Sequence, residues 1–555
     1  MSSDPGNTVS SEGQAASRRR WFGLFFVSLG VAMIIVDATI VNVAVPSIIK
    51  DLGITSSQAQ WVQEVYTLVF AALLLVAGRV ADRFGRKRLF LIGIVIFALA
   101  SILAAIADSG ATLIGARVLQ GVGGAIMLPT SLSLINAEFR GRERGVAFAI
   151  WGSTIGGTAA LGPLLGGWLT TDFSWRWAFG INIPIGIAVF IGTTLLVKES
   201  KDDHAVRGND LLGSALSIIG ISAMVFGLIE GRSFGWITTR GEVTFGSWIW
   251  PLAISPVFVA FIVGAITIAA FIMVEVRRNR SDQVVLLDLS LFSISSFRNG
   301  NIAALIVSLG EFGILFALPL WFQNVRGWSA FSTGQALLAL ALGSFVTSGF
   351  GGQLALKRSP AFVVRLGIVL EIVGIAGIGF AVSADEPTWP VIPLLFIYGM
   401  GVGLATAQLT GVVLADVPVA KSGQGSGTQS TSRQIGSALG IAILGTILFS
   451  GLATGLTDRL EQMPQVTAEQ REQIVNTTAA TAGALIPELE SNPMTAPIAQ
   501  AAKESFSQAT RWSAFAAAGF LVIGFFASLS LGKTSLLSAA EVEAAATEAG
   551  QGEPQ

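Results

Sequence analysis

The chain has 555 residues; the apolar set AVILMFWYC makes up 52% of it, charged residues 12%, and the net charge is −1. Counting the 64 glycines raises the apolar share to about 64%, against roughly 45–50% in a soluble domain. A soluble core cannot absorb that excess, so it faces lipid, and an all-α polytopic membrane protein is the class left. Near-neutral charge without a Lys/Arg block excludes a nucleic-acid partner. The absence of Cys excludes disulfides and thiolate sites, and a single His, His204, excludes a histidine-rich centre, so no metal and no cofactor is expected.

Residues 1–20 are polar, end in Arg18, Arg19 and Arg20, and are expected to be a disordered cytoplasmic tract. A signal peptide would need a short apolar region and a small-residue cleavage site. The run from Trp21 to Ala44 is instead long enough to span, and reads as a retained first transmembrane helix. Five more runs, at 58–78, 89–108, 112–135, 146–169 and 175–196, complete an N-terminal bundle over 21–196. Residues 197–299 hold a charged loop, a pair of runs at 211–230 and 251–275, and a basic linker. Within that linker, 286–298 is too short to span and is expected to lie along the inner interface as an amphipathic segment.

A second bundle occupies 300–531, with runs at 300–325, 333–356, 361–383, 391–415, 424–452 and 512–531. The plan is 6 + 2 + 6 transmembrane helices. Loop 453–511, rich in Ala, Glu and Gln, is expected to form small helices as a lid or spacer; the alternative is a docking surface for a cell-envelope partner. Residues 532–555 read as a cytoplasmic tail. With the N-terminus inside, 23 Lys and Arg fall on inner segments, 9 on outer ones, and Arg117 and Arg433 within spans. That obeys the positive-inside rule and puts both termini in the cytoplasm of a cell-membrane protein.

Ionisable groups inside spans are costly and usually face a bundle interior or a cavity. Asp37 lies in the first span beside Asn42 and Pro46, and reads as a polar-lined break or as a snorkelling acid. Glu64, about one turn into the second span, is either cavity-lining or an interfacial structural carboxylate. Glu311, between Gly310 and Gly313, sits near the bilayer centre, where a carboxyl suits alternating protonation or a neutral interhelical hydrogen bond. Glu371 is similarly deep but reads as structural if its helix is peripheral. Arg117, with Gln120 beside it in a span crowded by Gly121, Gly123 and Gly124, needs an acceptor, either as a cavity group or as a structural one. Arg433 is its counterpart in the second half.

The loop Gly78–Leu89, GRVADRFGRKRL, resembles the major facilitator superfamily signature between helices 2 and 3, through Gly78, Asp82, Arg83, Gly85, Arg86 and Lys87. Glycines allow a tight turn there, and Asp82 can pair with arginines or with a facing helix N-terminus, so that one end-state is latched. The second-half loop GGQLALKRSP has Leu356 in the place of that acid. DATIVNVAVP (Asp37 to Pro46), Arg117 with Gln120 and Gly121, and the hinge-like Gly162, Pro163, Gly166 and Gly167 resemble motifs of the fourteen-helix drug:proton antiporters. Thr158 departs from the hinge motif, and GTQSTSRQIGSALGIAILG with Arg433 reads like the helix 13 of that family.

The resemblance implies a major facilitator fold and an antiporter for multidrug efflux, exchanging hydrophobic or cationic drugs, dyes or biocides for protons; it is not an enzyme. Asp37 and Glu311 are the implied proton-coupling acids, and Glu64, Asn42, Arg117, Gln120 and Arg433 the cavity groups. Export of a native lipid or metabolite by the same fold is the alternative. The partners are protons, cargo and the bilayer, and the chain is expected to function as a monomer.

Overall fold

The computed structural model describes residues 8–54, 56–201, 210–245, 248–281 and 283–531. The first bundle comprises α1 (Thr8–Leu52), α2 (Ser56–Phe84), α3 (Arg86–Ala105), α4 (Gly110–Glu138), α5 (Gly141–Asp172) and a broken sixth helix, α6 (Trp177–Gly180) with α7 (Asn182–Leu196). The inserted pair is α8 (Leu211–Phe234) and α9 (Pro256–Arg280), joined by an antiparallel hairpin of β1 (Thr244–Phe245) and β2 (Trp248–Ile249). The second bundle has α10 (Ser295–Leu320), α11 (Ala330–Lys357), α12 (Pro360–Ala381), α13 (Val391–Leu414) and α14 (Ser422–Glu461), then the short α15 (Ala468–Ala480) and α16 (Ile486–Ser491), and finally α17 (Ala496–Leu529). Among the described residues, thirteen helices are long and apolar enough to cross a membrane. The fourteenth expected run is α5, a 32-residue helix unbroken at Pro163.

Side-chain caps set several helix starts. Ser109 opens α4, Asp210 opens α8 by accepting the Gly213 amide, and Ser255 and Ser359 precede Pro256 and Pro360, whose missing N–H costs nothing in a first turn. Pro319 sits inside α10, which ends in a π turn over Trp321–Val325.

Three boundaries differ from expectation. Residues 8–20, expected to be disordered, form the first turns of the 45-residue α1; their Ala, Gln and Arg propagate a helix that the apolar run already nucleates. Much of loop 453–511 is absorbed by the ends of α14 and α17, and α15 opens on a Thr467–Gln470 capping box. The segment 286–298, expected to lie along the inner interface, turns much of its apolar side towards protein. Its Leu286, Leu287, Leu291 and Phe297 are buried in the second bundle's core, so that side is covered by protein rather than lipid.

Small residues bring helix backbones together. A Cβ at Gly123 would crowd Gly93 and Phe97, joining α4 to α3, and Gly436 and Gly440 do the same for α14 on α10. Between the bundles, α5 packs along α11 and α13, with Gly152 against Ala407 and Gly334 against Leu164. On the other side α2 meets α14, where Gly78 and Gly423 touch backbone to backbone and a Cβ on either would overlap the other's carbonyl. That contact lies at the end of the molecule that carries Arg83, Arg86, Arg140, Lys198 and Lys421, called here the basic face. Away from it α8 packs against both: Ile221 and Val225 contact Ala71, and Leu228 contacts Ala438 and Ala442.

A buried charge centre in each bundle

In the first bundle Asp37 and Arg117 form a buried ion pair, with side chains 0% and 1% exposed and Arg117 Nη1 donating to Asp37 Oδ2 at 2.5 Å. Three further helices, α2, α3 and α7, complete it. Arg117 Nε donates to the Val62 carbonyl of α2 (3.0 Å), and its guanidinium lies 4.3 Å from the Tyr66 ring centroid. Gln120 Nε2 and Asn182 Nδ2 donate to Asp37 Oδ1 at 2.9 and 2.6 Å. Both amides also reach the Ser101 hydroxyl of α3. Gln120 Oε1 in turn accepts from Arg117 Nη1 at 2.8 Å. Such satisfaction is what makes a buried ion pair tolerable. Asn182 and Ser101 were not singled out from sequence; the only signal was an amide and a hydroxyl in otherwise apolar runs.

The second bundle holds Glu311 more loosely. Arg433 Nη2 stands 3.6 Å from Glu311 Oε2, an ion-pair distance without a hydrogen bond, and Thr406 Oγ1 donates to Oε1 at 3.2 Å. Tyr398 donates to the Glu311 carbonyl at 3.0 Å. Arg433 Nη1 is buried without a hydrogen-bond partner among the described residues. Glu371 is also buried, against Gly401 of α13, and its carboxyl oxygens have no hydrogen-bond partner among the described residues.

Glu64 belongs to neither centre. It faces α8, where it meets Glu230. The side chains of Asn42, Pro46 and Pro163 lie outside the described part of the structure, as does His204. Gly162 packs directly on Thr39 of α1, with no room for a Cβ, and Gly167 faces Phe331 of α11; Gly166 is buried on α5.

At the basic face Asp82 accepts from Arg86 Nη2 (2.7 Å) and Nε (3.2 Å), and from the amides of Gly423 (2.8 Å) and Gln424 (3.0 Å) in the first turn of α14. One carboxylate thus pairs with an arginine and caps a helix of the opposite bundle. Gly85 makes the turn at φ +105, where a Cβ would strike Glu199; that carboxylate caps α3 through the amides of Lys87 and Arg88. Lys87 Nζ donates to the Thr194 carbonyl, and Arg83 lies over Phe84. Ser422 Oγ accepts from Asn136, and Ser426 Oγ from Ser133, adding cross-bundle bonds from α4.

The major facilitator superfamily model matches residues 27–229 and 208–441, which takes in the first bundle, the insert and the second bundle as far as α14, with the charge centre of each. The chain belongs to the major facilitator superfamily. Relatives within it include a probable actinorhodin transporter of Streptomyces coelicolor, 33% identical over 82% of this chain and 76% of that protein. A puromycin resistance protein of Streptomyces alboniger is 34% identical over 80% and 85%. A multidrug resistance protein of Mycobacterium tuberculosis is 32% identical over 80% and 79%. The human organic anion transporter structure superposes with a TM-score of 0.57 over 92% of this chain and 99% of that one; at 12% identity it supports the fold alone. This superfamily member is a multi-pass membrane efflux transporter for small molecules, and not an enzyme.

Proposed function

We propose that the chain is a proton-coupled antiporter that exports hydrophobic or cationic compounds, with both termini in the cytoplasm. The observation that carries this reading is one carboxylate–guanidinium pair inside the membrane part of each bundle, Asp37–Arg117 and Glu311–Arg433. A structural salt bridge would be equally served by one tight pair. Two pairs of unequal tightness give one carboxylate locked by its neighbours and one able to trade its partner for a proton or a cargo cation. Protonating Asp37 would release Arg117 and loosen α1 from α4, which links proton binding to helix rearrangement.

The basic face is then cytoplasmic, as the distribution of Lys and Arg supports. Asp82 on Gly423 and Gln424 is a latch that favours the state closed to the cytoplasm, and Gly162 on Thr39 lets α5 slide against α1 as the bundles rock. Each proton moving inward down 100 mV supplies about 2.3 kcal/mol, with the pH gradient additional. Glu64 serves as a recogniser of cationic cargo.

The test is purified protein in liposomes with an imposed pH gradient, with flux measured for a lipophilic cation, a neutral dye and a lipid analogue. The expected result is gradient-driven accumulation of the cation and the dye, with cargo-induced proton movement in the opposite sense. Flux unaffected by collapse of the gradient would overturn proton coupling, and flux of the lipid analogue alone would favour a native-lipid exporter.

A further inference from the structure

The exchange scheme gives the inserted pair α8–α9 no task, and the segment joining the two helices is a built platform with an exposed apolar surface. Gly235 ends α8 at φ +90, a conformation that favours glycine, and turns the chain back. The Ser255 amide then donates to the Ile237 carbonyl at 2.8 Å, the Thr239 amide to Ala253 at 3.1 Å and the Trp250 amide to Val243 at 2.8 Å. β1 and β2 continue the ladder with Phe245 opposite Trp248, and the Trp250 indole N–H donates to the Ile254 carbonyl at 2.8 Å. Phe245 fixes this platform to α8, with its ring centroid 6.5 Å from Phe226 and 5.5 Å from Phe234. Phe226 stacks in turn on Trp61 of α2.

Ile237, Trp248, Ile249, Leu252 and Ile254 stand on this platform between 49% and 63% exposed. Its height decides what meets them. From Arg277, the first of the basic residues that close α9, back to Pro256 the helix rises about 32 Å, close to the ~30 Å of a bilayer's hydrocarbon core. The residues just before Pro256 therefore lie at headgroup level, on the side opposite the basic face. Their surface continues that of α9, whose Ile262, Val263 and Ile266 are exposed along the spanning stretch and face acyl chains. Tryptophan is favoured at that level, where an apolar ring with a polar N–H meets both environments. Arg240 and Glu242 are exposed on the same segment, and their charges cancel, so the platform has no preference for an anionic headgroup.

We propose that Ile237, Trp248, Ile249, Leu252 and Ile254 form a lipid-docking surface that seats in the leaflet opposite the basic face, at the boundary of headgroups and acyl chains. That leaflet is the outer one in the orientation proposed above, and the docking itself holds in either orientation. Removal of apolar area from water supplies the attraction, so docking is indifferent to headgroup charge. Because Phe245 joins the platform to Phe226 and Phe234, the bilayer steadies the end of α8 that stands beside Trp61 of α2. The insert thereby acquires a task, which is to hold one flank of the first bundle against lipid.

The chain contains no cysteine, so a single introduced one carries a spin label at a unique position. The test places Ile249→Cys, Ile237→Cys and, as the water-side reference, Glu242→Cys in nanodiscs at one full-length chain per disc. Collision of each label with oxygen, which concentrates in lipid, is compared with collision with a neutral aqueous nickel chelate. The labels at 249 and 237 should have an oxygen-to-nickel collision ratio severalfold above that at 242, equally in neutral and in partly anionic lipid. A ratio equal to that at 242 would overturn the docking, and so would shielding from both reagents, which means a covering of protein. Water exposure in single-chain nanodiscs with shielding in protein-rich liposomes would assign the surface to a second copy of the chain instead. Trp248→Ser combined with Leu252→Ser, both at exposed positions, should raise amide hydrogen exchange severalfold around Phe226 and Phe234 and leave it unchanged around Ser217, nearer the basic face. Unchanged exchange at Phe226 and Phe234 would overturn the steadying of α8. These readings need no cargo, so labels that dock in a protein without gradient-driven flux would overturn the export reading alone.

Discussion

Asp82 on α2 caps the first turn of α14 across the bundle interface, accepting the amides of Gly423 and Gln424 at 2.8 and 3.0 Å. The carboxylate meets the positive end of a 40-residue helix while Arg86 neutralises it from behind, and it is 0% exposed. Charge-assisted capping in such a partly desolvated site contributes up to about 2 kcal/mol. Because it exists only while Gly78 and Gly423 are in contact, it acts on the balance of end-states rather than on folding of either bundle.

Asp82→Asn should therefore lower the closed-to-open ratio at the basic face by up to about 30-fold, the equilibrium equivalent of about 2 kcal/mol. Distance measurements between spin labels on the basic-face ends of α2 and α14 would show the shift to longer separations. Transport should fall by at least tenfold with membrane abundance nearly unchanged. Wild-type distance distributions and flux in the D82N protein would remove the latch.

The Asp37–Arg117 pair makes a prediction about stability that separates packing from transport. Removing one member of a fully buried pair costs about 3–5 kcal/mol, because the other charge stays buried without a partner. Arg117→Ala should be destabilised by about that much, and Arg117→Lys nearly as much in transport, since an ammonium cannot serve Val62, Asp37 and Gln120 in one plane. Asp37→Asn combined with Arg117→Gln should recover most of the thermal stability and none of the gradient-driven flux. A double variant that exports at wild-type rate would make the pair purely architectural.

The separate charges were legible in the sequence because an ionisable residue in an apolar run of spanning length stands out. Their partners were not. Asp37 and Arg117 are eighty positions apart, and only the packing of α1 on α4 brings them together; Ser101 and Asn182, which complete the cluster, look like ordinary polar residues in lipid-length runs. Glu230 was concealed by its position, since an acid at the end of a short apolar run reads as the charge that terminates a span. The segment 286–298 shows a further limit. Its pattern of Leu and Phe reports an apolar face, and periodicity cannot say whether lipid or a neighbouring helix covers it. The turn from Gly78 to Lys87 was legible because its spacing is local, whereas the amides of Gly423 and Gln424 that Asp82 meets lie on a distant helix and were not.

The linker that follows α9 yields a pH dependence. Asp288 is bonded to Lys421 Nζ at 2.5 Å, while its amide donates to Gln424 Oε1 at 2.7 Å, so it ties the insert to α14. Burial pushes the Asp288 carboxyl up, but the hydrogen bonds from Lys421 and Ser290 and the charge of Lys421 outweigh that and hold it below the ordinary carboxylate value. Folding thus favours the ionised form. Its contribution is complete above the unfolded-state pKa of about 3.9 and is lost as pH falls through the lower folded value. Asp288→Asn should cost about 1 kcal/mol at neutral pH, a modest figure because Lys421 is partly solvated. The difference in Tm between wild type and D288N should shrink towards zero as pH is lowered below 4. A difference that stays constant down to that pH would mean that the ion pair contributes nothing.

The two membrane-embedded acids should separate under titration of flux, because the structure holds them so differently. Asp37 is fully coordinated by Arg117, Gln120 and Asn182, so a proton can reach it only after those bonds part. Glu311 has one 3.2 Å hydrogen bond from Thr406 and an arginine 3.6 Å away, so it can exchange partners with little rearrangement. Asp37→Asn should abolish gradient-driven flux for every cargo, cationic or neutral, since it removes the charge that holds Arg117 and with it the link between protonation and helix movement. Glu311→Gln should abolish proton-driven flux too, yet retain slow downhill movement of cargo, because the cavity stays intact while the exchangeable proton is gone. The measurement is flux in liposomes for each variant, with and without an imposed pH gradient, using one cation and one neutral dye. Full gradient-driven flux in both variants would eliminate both acids as coupling sites. Downhill movement retained in D37N and lost in E311Q would reverse their assignment, with Glu311 linking protonation to helix movement and Asp37 supplying only an exchangeable proton.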